Sequence, residues 1–240
     1  MNAQEYDIML EDFSINLFAK LFGGGCNLDS IPKVALHELW EKPKKGDCMT
    51  AFLKRRVFPT FKRFVASRTL GIAQGTKFNS LKFFKSPKSI IGYGVDTTKY
   101  GFTHPIYNTE ASFRNYVRNA GGVIILRPKG FTEMQADKVI EFIERNKNTA
   151  YNYKDCSESA MKRLKDNLKR IFHINDSKLQ YNVSKRFLEK YKKPMFCSSI
   201  IALAYKYAGF NCGLAYGDKV AWPVDFVNSD KFEKVCMFRR

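Results

Sequence analysis

Apolar residues recur at helical spacing in the segment that begins at Cys197, directly after a proline and an aromatic residue. Positions three, four, seven and eight residues apart lie on one face of a helix. The residues at this spacing that we expect to face a sheet are Ile200, Leu203, Ala204 and Tyr207. Gly209 supplies a C-terminal stop. The pattern therefore predicts a helix that starts at Cys197 and ends just before Gly209.

The cysteine at the start of this helix is the first candidate for chemistry. Cys197 and Ser198 would occupy the first turn, where unpaired backbone N–H groups and the helix dipole favour a negative charge. A thiol in that position has a lowered pKa and is a better nucleophile. The alternative is that Cys197 is a small buried core residue, as most free cysteines are.

Short β-branched and aromatic runs predict strands elsewhere in the chain. Residues 44–52 have the character of a turn followed by a strand, and residues 79–84 and 88–95 that of two strands around a Ser-Pro turn. The clearest strand is the run "GGVIILRPKG" at residues 121–130, and a last strand is predicted at residues 234–238.

Four further helical segments are predicted. Residues 1–43 form a helical annex, with a second short helix that starts at Pro32. Residues 54–70 have the spacing of a basic amphipathic helix. Thr132 caps a helix with Gln135 at the capping-box position. Residues 154–193 are long and charged, and are predicted to be a mostly helical insertion within a main domain of residues 44–240.

The composition is that of a globular chain: 240 residues, of which 45% are hydrophobic. No segment has the run of about 18 apolar residues that spans a membrane. Residues 1–10 carry no basic cluster, unlike a secretory leader, so we expect a cytoplasmic protein, or a virion protein if a phage encodes it. The six cysteines are scattered without a C-x-x-C pair, which argues against a zinc site and favours a reducing compartment. We expect neither metal nor cofactor.

The net charge of +18 is the strongest global feature. A field of this sign attracts polyanions such as nucleic acid or the anionic polymers of a cell envelope. It does not choose among them, and an ordinary solvated basic surface is the other interpretation. The acidic residues of the annex suggest a docking segment for a virion partner, with core packing as the alternative.

The order of the motifs resembles the circularly permuted papain-like thiol hydrolases, the NlpC-type and YiiX-like superfamily. The motifs are G-D entering a strand at 46–47, a strand pair ending in G-V at 94–95, "LRP" at 126–128, "FTEMQ" at 131–135, "TAYNY" at 149–153, "FCSSIIALAYKYAG" at 196–209 and "WPVDF" at 222–226. The resemblance covers roughly residues 44–240. It implies an α+β fold with an antiparallel, partly closed sheet packed on the helix that carries the nucleophile.

The resemblance also implies a mechanism in which the Cys197 thiolate attacks an acyl carbon and a histidine transfers the proton. It places Trp222 and Asp225, with Ser198, at the substrate cleft. The positions at which the family carries its histidine and a glutamate fall near residues 78–80 and 91–92, and neither residue type is present there. His104 is the best substitute for the base, although the residues alone favour its interpretation as an ordinary loop imidazole.

Two functions follow from these features. The first is a thiol hydrolase or acyltransferase that cleaves amide or ester bonds, with peptidoglycan cross-links or acyl-lipids as the substrates implied by the family and a phage as a candidate source. The second is a catalytically degenerate basic module that keeps the fold and associates with nucleic acid or a virion. A histidine close to Cys197 would favour the first function.

Overall fold

The computed structural model describes residues 26–52, 78–93, 108–146, 163, 197–214, 217–218 and 221–240. Several predictions therefore lie outside the described residues: the first helix of the annex, the basic helix at 54–70, His104, and the whole of the charged insertion at 154–193 except Arg163.

A six-stranded sheet forms the centre of the fold, and every neighbouring pair of strands is antiparallel. The strands are β1 (Cys48–Phe52), β2 (Phe78–Ser86), β3 (Ser89–Tyr93), β4 (Asn108–Ser112), β5 (Gly122–Pro128) and β6 (Phe232–Arg239). Their order across the sheet is β4-β3-β2-β1-β5-β6. The predicted strands are thus confirmed, and the polar edge strand β4 was missed because its sequence, Asn-Thr-Glu-Ala-Ser, lacks an apolar run.

Five helices lie in the described part of the chain. They are α1 (Leu36–Leu39), α2 (Phe113–Asn119), α3 (Glu133–Arg145), α4 (Cys197–Tyr207) and α5 (Pro223–Asn228). The predicted capping box of α3 is present, since Gln135 N–H donates to the Thr132 hydroxyl at 3.2 Å. Thr132 N–H in turn donates to the Gln135 side chain. The predicted α+β class with an antiparallel sheet is confirmed.

Both faces of the sheet are covered by helices. Strand β5 shows this by its alternation: Ile124 and Leu126 belong to a core cluster with α3, α4 and α5. Val123 and Ile125 belong to a second cluster with α1 and α2. Successive side chains of a strand point to opposite faces, so an uninterrupted apolar run is what a strand covered on both sides requires. None of the helices in the described ranges combines the length and apolar character needed to cross a membrane.

The described part of the annex, residues 26–43, packs on this sheet, and the predicted helix from Pro32 is wrong in its extent. The helix spans only Leu36–Leu39. Residues 32–34 instead run beside β6: Met237 N–H donates to Pro32 O at 2.8 Å and Val34 N–H donates to Met237 O at 3.0 Å. An edge strand offers unpaired backbone groups. The backbone of residues 32–34 forms hydrogen bonds with these groups instead of forming a turn of helix.

Helix α4 begins at Cys197, as predicted, but its sheet-facing side was partly misassigned. Ile200, Ile201, Ala204 and Tyr205 are fully buried, whereas the Tyr207 side chain is 47% exposed. Tyr207 instead packs its ring against Phe142 of α3, with centroids 5.3 Å apart. The prediction assumed a single partner surface, but α4 contacts both the sheet and α3, so its apolar stripe is divided between them.

Candidate functional site

Cys197 is the first residue of α4, and its side chain is buried against strand β2. Only 4% of the residue is exposed. Backbone hydrogen bonds from Leu81 of β2 and from Ser198 reach the thiol. The start of α4 therefore places the sulfur between the helix terminus and the middle of the sheet.

Burial raises the pKa of the Cys197 thiol, which corrects the prediction of a lowered value. The backbone hydrogen bonds and the positive charge of Lys82 oppose this shift without reversing it. The prediction considered only the helix terminus, which favours the thiolate. It omitted desolvation, which favours the neutral thiol. The sequence gives no direct signal of how deeply the first turn is buried.

The other described cysteines provide a reference for this environment. Cys48, Cys197, Cys212 and Cys236 are free thiols. Burial also raises the pKa of Cys48 and Cys212. Within the described ranges, the nearby charges that act on those two thiols are acidic, Asp47 and Asp218. Cys197 differs from those two because the charge of a lysine, Lys82, opposes the rise in its pKa, as Lys42 and Arg127 do for Cys236.

That lysine, Lys82, lies in the middle of β2 and is only 3% exposed. Burial lowers the pKa of its ammonium group to about 8, and the charge of Cys197 acts in the opposite direction. Sequence reasoning missed this residue. The available signal was a lysine inside the apolar run Leu81–Phe84 of a strand that is covered on both faces.

Ser198 and Trp222, predicted to line a substrate cleft, are both fully buried. The Ser198 hydroxyl donates to the carbonyl of Ala221 at 2.6 Å. Trp222 belongs to the same core cluster as Cys197. The structure therefore brings these residues together in a closed arrangement, and their role in a substrate cleft stays a prediction.

Asp225 has a structural partner. Its carboxylate forms a buried ion pair with both terminal nitrogens of Arg163, with Nη1 to Oδ1 at 3.1 Å. Trp222 N–H donates to the same carboxylate at 2.7 Å, and the Arg163 guanidinium lies 4.1 Å from the centroid of the Trp222 ring. The carboxylate thus caps α5 and neutralises a buried arginine.

A second buried aspartate forms an ion pair with an arginine, and this pair links the G-D motif to the L-R-P motif. Arg127 donates to both carboxylate oxygens of Asp47, at 2.9 and 2.8 Å, and Lys44 N–H donates to one of them at 2.8 Å. Gly46 has a positive φ of 94°, and a Cβ there would lie 3.2 Å from the Phe131 ring. The glycine allows this close packing, and the aspartate connects β1 with β5.

The position of the predicted base cannot be compared with that of Cys197, because His104 and His173 lie outside the described residues. His37 is exposed on α1. No group of three metal-binding side chains is present among the residues that the structure describes. The described part of the site therefore consists of Cys197, the backbone at Leu81 and Ser198, and the Trp222–Asp225–Arg163 cluster, with Lys82 on the opposite face of β2.

Comparison with known proteins does not assign a family to this chain. No protein-family model matches the sequence, and no curated protein matches it either. The resemblance to permuted papain-like hydrolases rests on the ordered motifs, and the candidate function rests on the geometry around Cys197.

Proposed function

We propose that this protein is a cysteine-dependent hydrolase or acyltransferase of permuted papain-like fold that acts on amide or ester bonds. The observation that carries the proposal is the position of Cys197, the first residue of α4, with backbone hydrogen bonds from Leu81 and Ser198 to its thiol. Backbone N–H groups at a helix N-terminus stabilise a thiolate and also a developing oxyanion. Both charges arise in acyl transfer.

The reaction has two steps. The thiolate attacks the acyl carbon and the leaving group departs with a proton, which gives an acyl-thioester on Cys197. Water or a second acceptor then attacks the thioester and releases the thiol. His104 remains the sequence-based candidate for proton transfer. A proton-transfer group contributes about 100- to 10,000-fold in rate.

A substrate can react only if it reaches the buried thiol of Cys197. With Cys197 only 4% exposed, a substrate must displace part of the covering chain before attack. A buried, neutral thiol also avoids non-productive oxidation, because oxidation follows thiolate character and exposure. We expect a slow basal reaction with small alkylating agents and faster modification when an acyl substrate opens the site.

Turnover of p-nitrophenyl acetate, with mass spectrometry of the acylated chain, tests the function. We expect Cys197→Ala to abolish both turnover and acylation, while Cys236→Ala, which removes a buried thiol of the second core cluster, leaves them intact. Cys197→Ala is expected to cost only about 1 kcal/mol in stability. Turnover that persists in Cys197→Ala would overturn the proposal.

The resemblance suggests peptidoglycan cross-links or acyl-lipids as substrates, and a protein of phage origin that acts in the cytoplasm or is carried in a virion. Release of soluble fragments from purified peptidoglycan, or of fatty acid from acyl-lipid vesicles, distinguishes these substrates. Loss of either product in Cys197→Ala identifies the substrate class. The absence of both, with an active esterase, would place the substrate elsewhere.

A catalytically degenerate basic module is the second candidate function, and the burial of Cys197 favours it. The raised pKa of the Cys197 thiol and the ion pair between Asp225 and Arg163 are both typical of residues with a structural role. This candidate predicts that Cys197 is alkylated no faster than Cys212 in the folded protein. It also predicts that no acyl-thioester forms with activated esters.

Either function is compatible with polyanion binding, which we propose on the basis of the +18 charge. Exposed lysines in the described ranges include Lys33, Lys42, Lys44, Lys88 and Lys129. Binding of a short DNA duplex should weaken by at least about tenfold between roughly 50 and 200 mM salt, because bound counterions are released. Binding that does not change with salt would contradict the electrostatic origin. Deletion of residues 1–25, which keeps the part of the annex that packs on the sheet, tests the proposed virion-docking role, since it should abolish co-assembly with virion proteins.

A further inference from the structure

Two buried serines connect helices α4 and α5, one at each end. The Ser198 hydroxyl, in the first turn of α4, donates at 2.6 Å to the carbonyl of Ala221, which lies just before the start of α5. The Ser229 hydroxyl, directly after the end of α5, donates to the carbonyl of Cys212, in the chain that follows α4, also at 2.6 Å. The two bonds are chemically alike, and the first of them lies beside the candidate nucleophile.

Ser198 does not use its hydroxyl as serines at helix N-termini commonly do. A serine there usually accepts a hydrogen bond from a backbone N–H of its own helix. Ser198 is completely buried, and its hydroxyl instead donates to a carbonyl 23 residues further along the chain. A buried hydroxyl needs such a partner, because burying it unpaired is costly. The bond therefore ties the first turn of α4 to the segment that precedes α5.

The peptide group that accepts this bond is also held from its other side. The carbonyl of Ala221 and the N–H of Trp222 belong to one planar peptide group. Trp222 N–H donates to the Asp225 carboxylate at 2.7 Å, and that carboxylate forms the buried ion pair with Arg163. Donation to a carboxylate polarises the peptide group and makes its carbonyl oxygen a better acceptor. A chain of hydrogen bonds thus runs from the ion pair, through one rigid peptide group, to Ser198.

The candidate nucleophile lies at the other end of this chain of hydrogen bonds. The backbone of Ser198 forms one of the two backbone hydrogen bonds that reach the Cys197 thiol, and the backbone of Leu81 forms the other. The N–H groups in the first turn of a helix have no partner within the helix, and helix ends fray. A hydroxyl bond that fixes residue 198 therefore also fixes the direction of its N–H toward the sulfur.

We infer that Ser198 is a positioning residue of the site: its bond to the 221–222 peptide group holds the first turn of α4, so that the backbone N–H of Ser198 remains directed at the Cys197 sulfur. The inference rests on the proposed function, and it makes the Trp222–Asp225–Arg163 cluster the support of that peptide group. Such support matters for catalysis, because a displacement of about 1 Å in a reacting group can cost about 100-fold in rate.

Ser198→Ala tests the inference, and Ser229→Ala is the matched control. Each variant removes one buried hydroxyl and leaves a backbone carbonyl without that donor. Ser229→Ala also removes the acceptor of Lys231 N–H, so the control should lose at least as much thermal stability as Ser198→Ala. Circular dichroism and thermal unfolding check that both variants are folded.

Amide hydrogen exchange, followed residue by residue by NMR, is the primary measurement, and it needs no substrate. In the wild type the amide of residue 198 should be protected, as that of Ala204 in the middle of α4 is expected to be. The exchange rate at residue 198 relative to that at Ala204 should rise about fivefold or more in Ser198→Ala, the factor that loss of one hydrogen bond produces. The ratio should not change in Ser229→Ala. An unprotected amide at residue 198 in the wild type would overturn the inference.

Turnover of p-nitrophenyl acetate is the functional measurement. Ser198→Ala should lower kcat by about 10- to 100-fold and leave KM unchanged, because the hydroxyl acts on the position of the sulfur and not on the substrate. Ser229→Ala should retain both constants. A rise in KM with kcat unchanged would make Ser198 a substrate-binding residue and overturn the positioning role.

The outcomes separate this inference from the proposed function. If Cys197→Ala abolishes turnover while Ser198→Ala keeps the wild-type kcat, the enzyme is correct and the positioning role is wrong. Turnover that survives in Cys197→Ala overturns both. If the protein turns over no ester, the exchange ratio still tests the role of the hydroxyl. An unchanged ratio in Ser198→Ala, or an equal rise in Ser229→Ala, overturns the inference.

Discussion

Two regions of the molecule hold a buried aspartate against an arginine, and they differ in how far the arginine is removed from water. In the turn before β1, Asp47 pairs with Arg127, whose side chain is 25% exposed. At the start of α5, Asp225 pairs with Arg163, whose side chain is 2% exposed. Each aspartate also accepts a backbone N–H, from Lys44 and from Trp222 respectively.

The difference in exposure decides what the loss of each aspartate would do. Arg127 lies at the surface and can recover hydration when its partner is removed. Arg163 lies on the Trp222 ring in the core cluster region that contains Cys197, and it would remain a buried charge without a counterion. Loss of the aspartate should therefore destabilise the protein less at the turn before β1 than beside the candidate site.

The largest effect is expected for Asp225→Ala. The variant leaves the buried guanidinium of Arg163 without its carboxylate and Trp222 N–H without its acceptor, so it should lower the free energy of unfolding by about 3–5 kcal/mol. Urea denaturation followed by tryptophan fluorescence measures it. Asp230→Ala is the control, since the side chain of Asp230 is 81% exposed, and it should change stability by no more than about 0.5 kcal/mol. A similar loss in both variants would contradict the difference in burial.

A smaller loss is expected for the double variant Arg163→Met with Asp225→Asn. Removal of both charges abolishes the cost of burying them, while the asparagine oxygen still accepts Trp222 N–H. The double variant should lie within about 1–2 kcal/mol of the wild type and be more stable than Asp225→Ala. A double variant less stable than Asp225→Ala would show that the attraction within the ion pair exceeds the cost of removing the two charges from water.

An intermediate loss, of about 2 kcal/mol, is expected for Asp47→Ala. Arg127 can turn to solvent, but Lys44 N–H loses its acceptor. Comparison with Asp225→Ala under the same conditions is the measurement that matters. Equal losses at the two sites would show that the exposure of the arginine is irrelevant.

The fold was more predictable from the sequence than the site, for reasons that individual residues show. The strand at residues 122–128 and the helix after Thr132 follow from local patterns, because an apolar run and a capping box act within a few residues. The pairing of Asp47 with Arg127 joins positions 80 residues apart, and the turn chemistry of G-D does not indicate its partner. Asp225 was assigned to a substrate cleft by the resemblance, and nothing near it in the sequence indicates its pairing with Arg163. Lys82 was missed because the burial of a lysine is a property of the packed layers and not of its neighbours along the chain.

The smallest effect concerns the pH dependence of the Asp47 pair, which Asp47→Asn tests. Burial raises the pKa of Asp47 above 3.8, although Arg127 and Lys44 N–H oppose the shift. The native state therefore binds the proton more tightly than the unfolded chain, and protonation of this group favours folding. Its contribution to stability falls as the pH rises from 3.8 through the raised native value. Asn resembles the protonated acid at every pH, so the stability of Asp47→Asn relative to the wild type should increase across this window and then level off.

Guanidinium denaturation of both proteins between pH 4 and pH 7 measures this difference in stability. Comparing the two proteins at the same pH cancels the general repulsion that arises from the +18 charge. A difference that decreases with pH would mean that attraction to Arg127, and not burial, sets the pKa of Asp47. The Asp47 pair would then behave as a stabilising ion pair despite its exposed arginine, and the contrast with the Asp225 pair would be one of degree only.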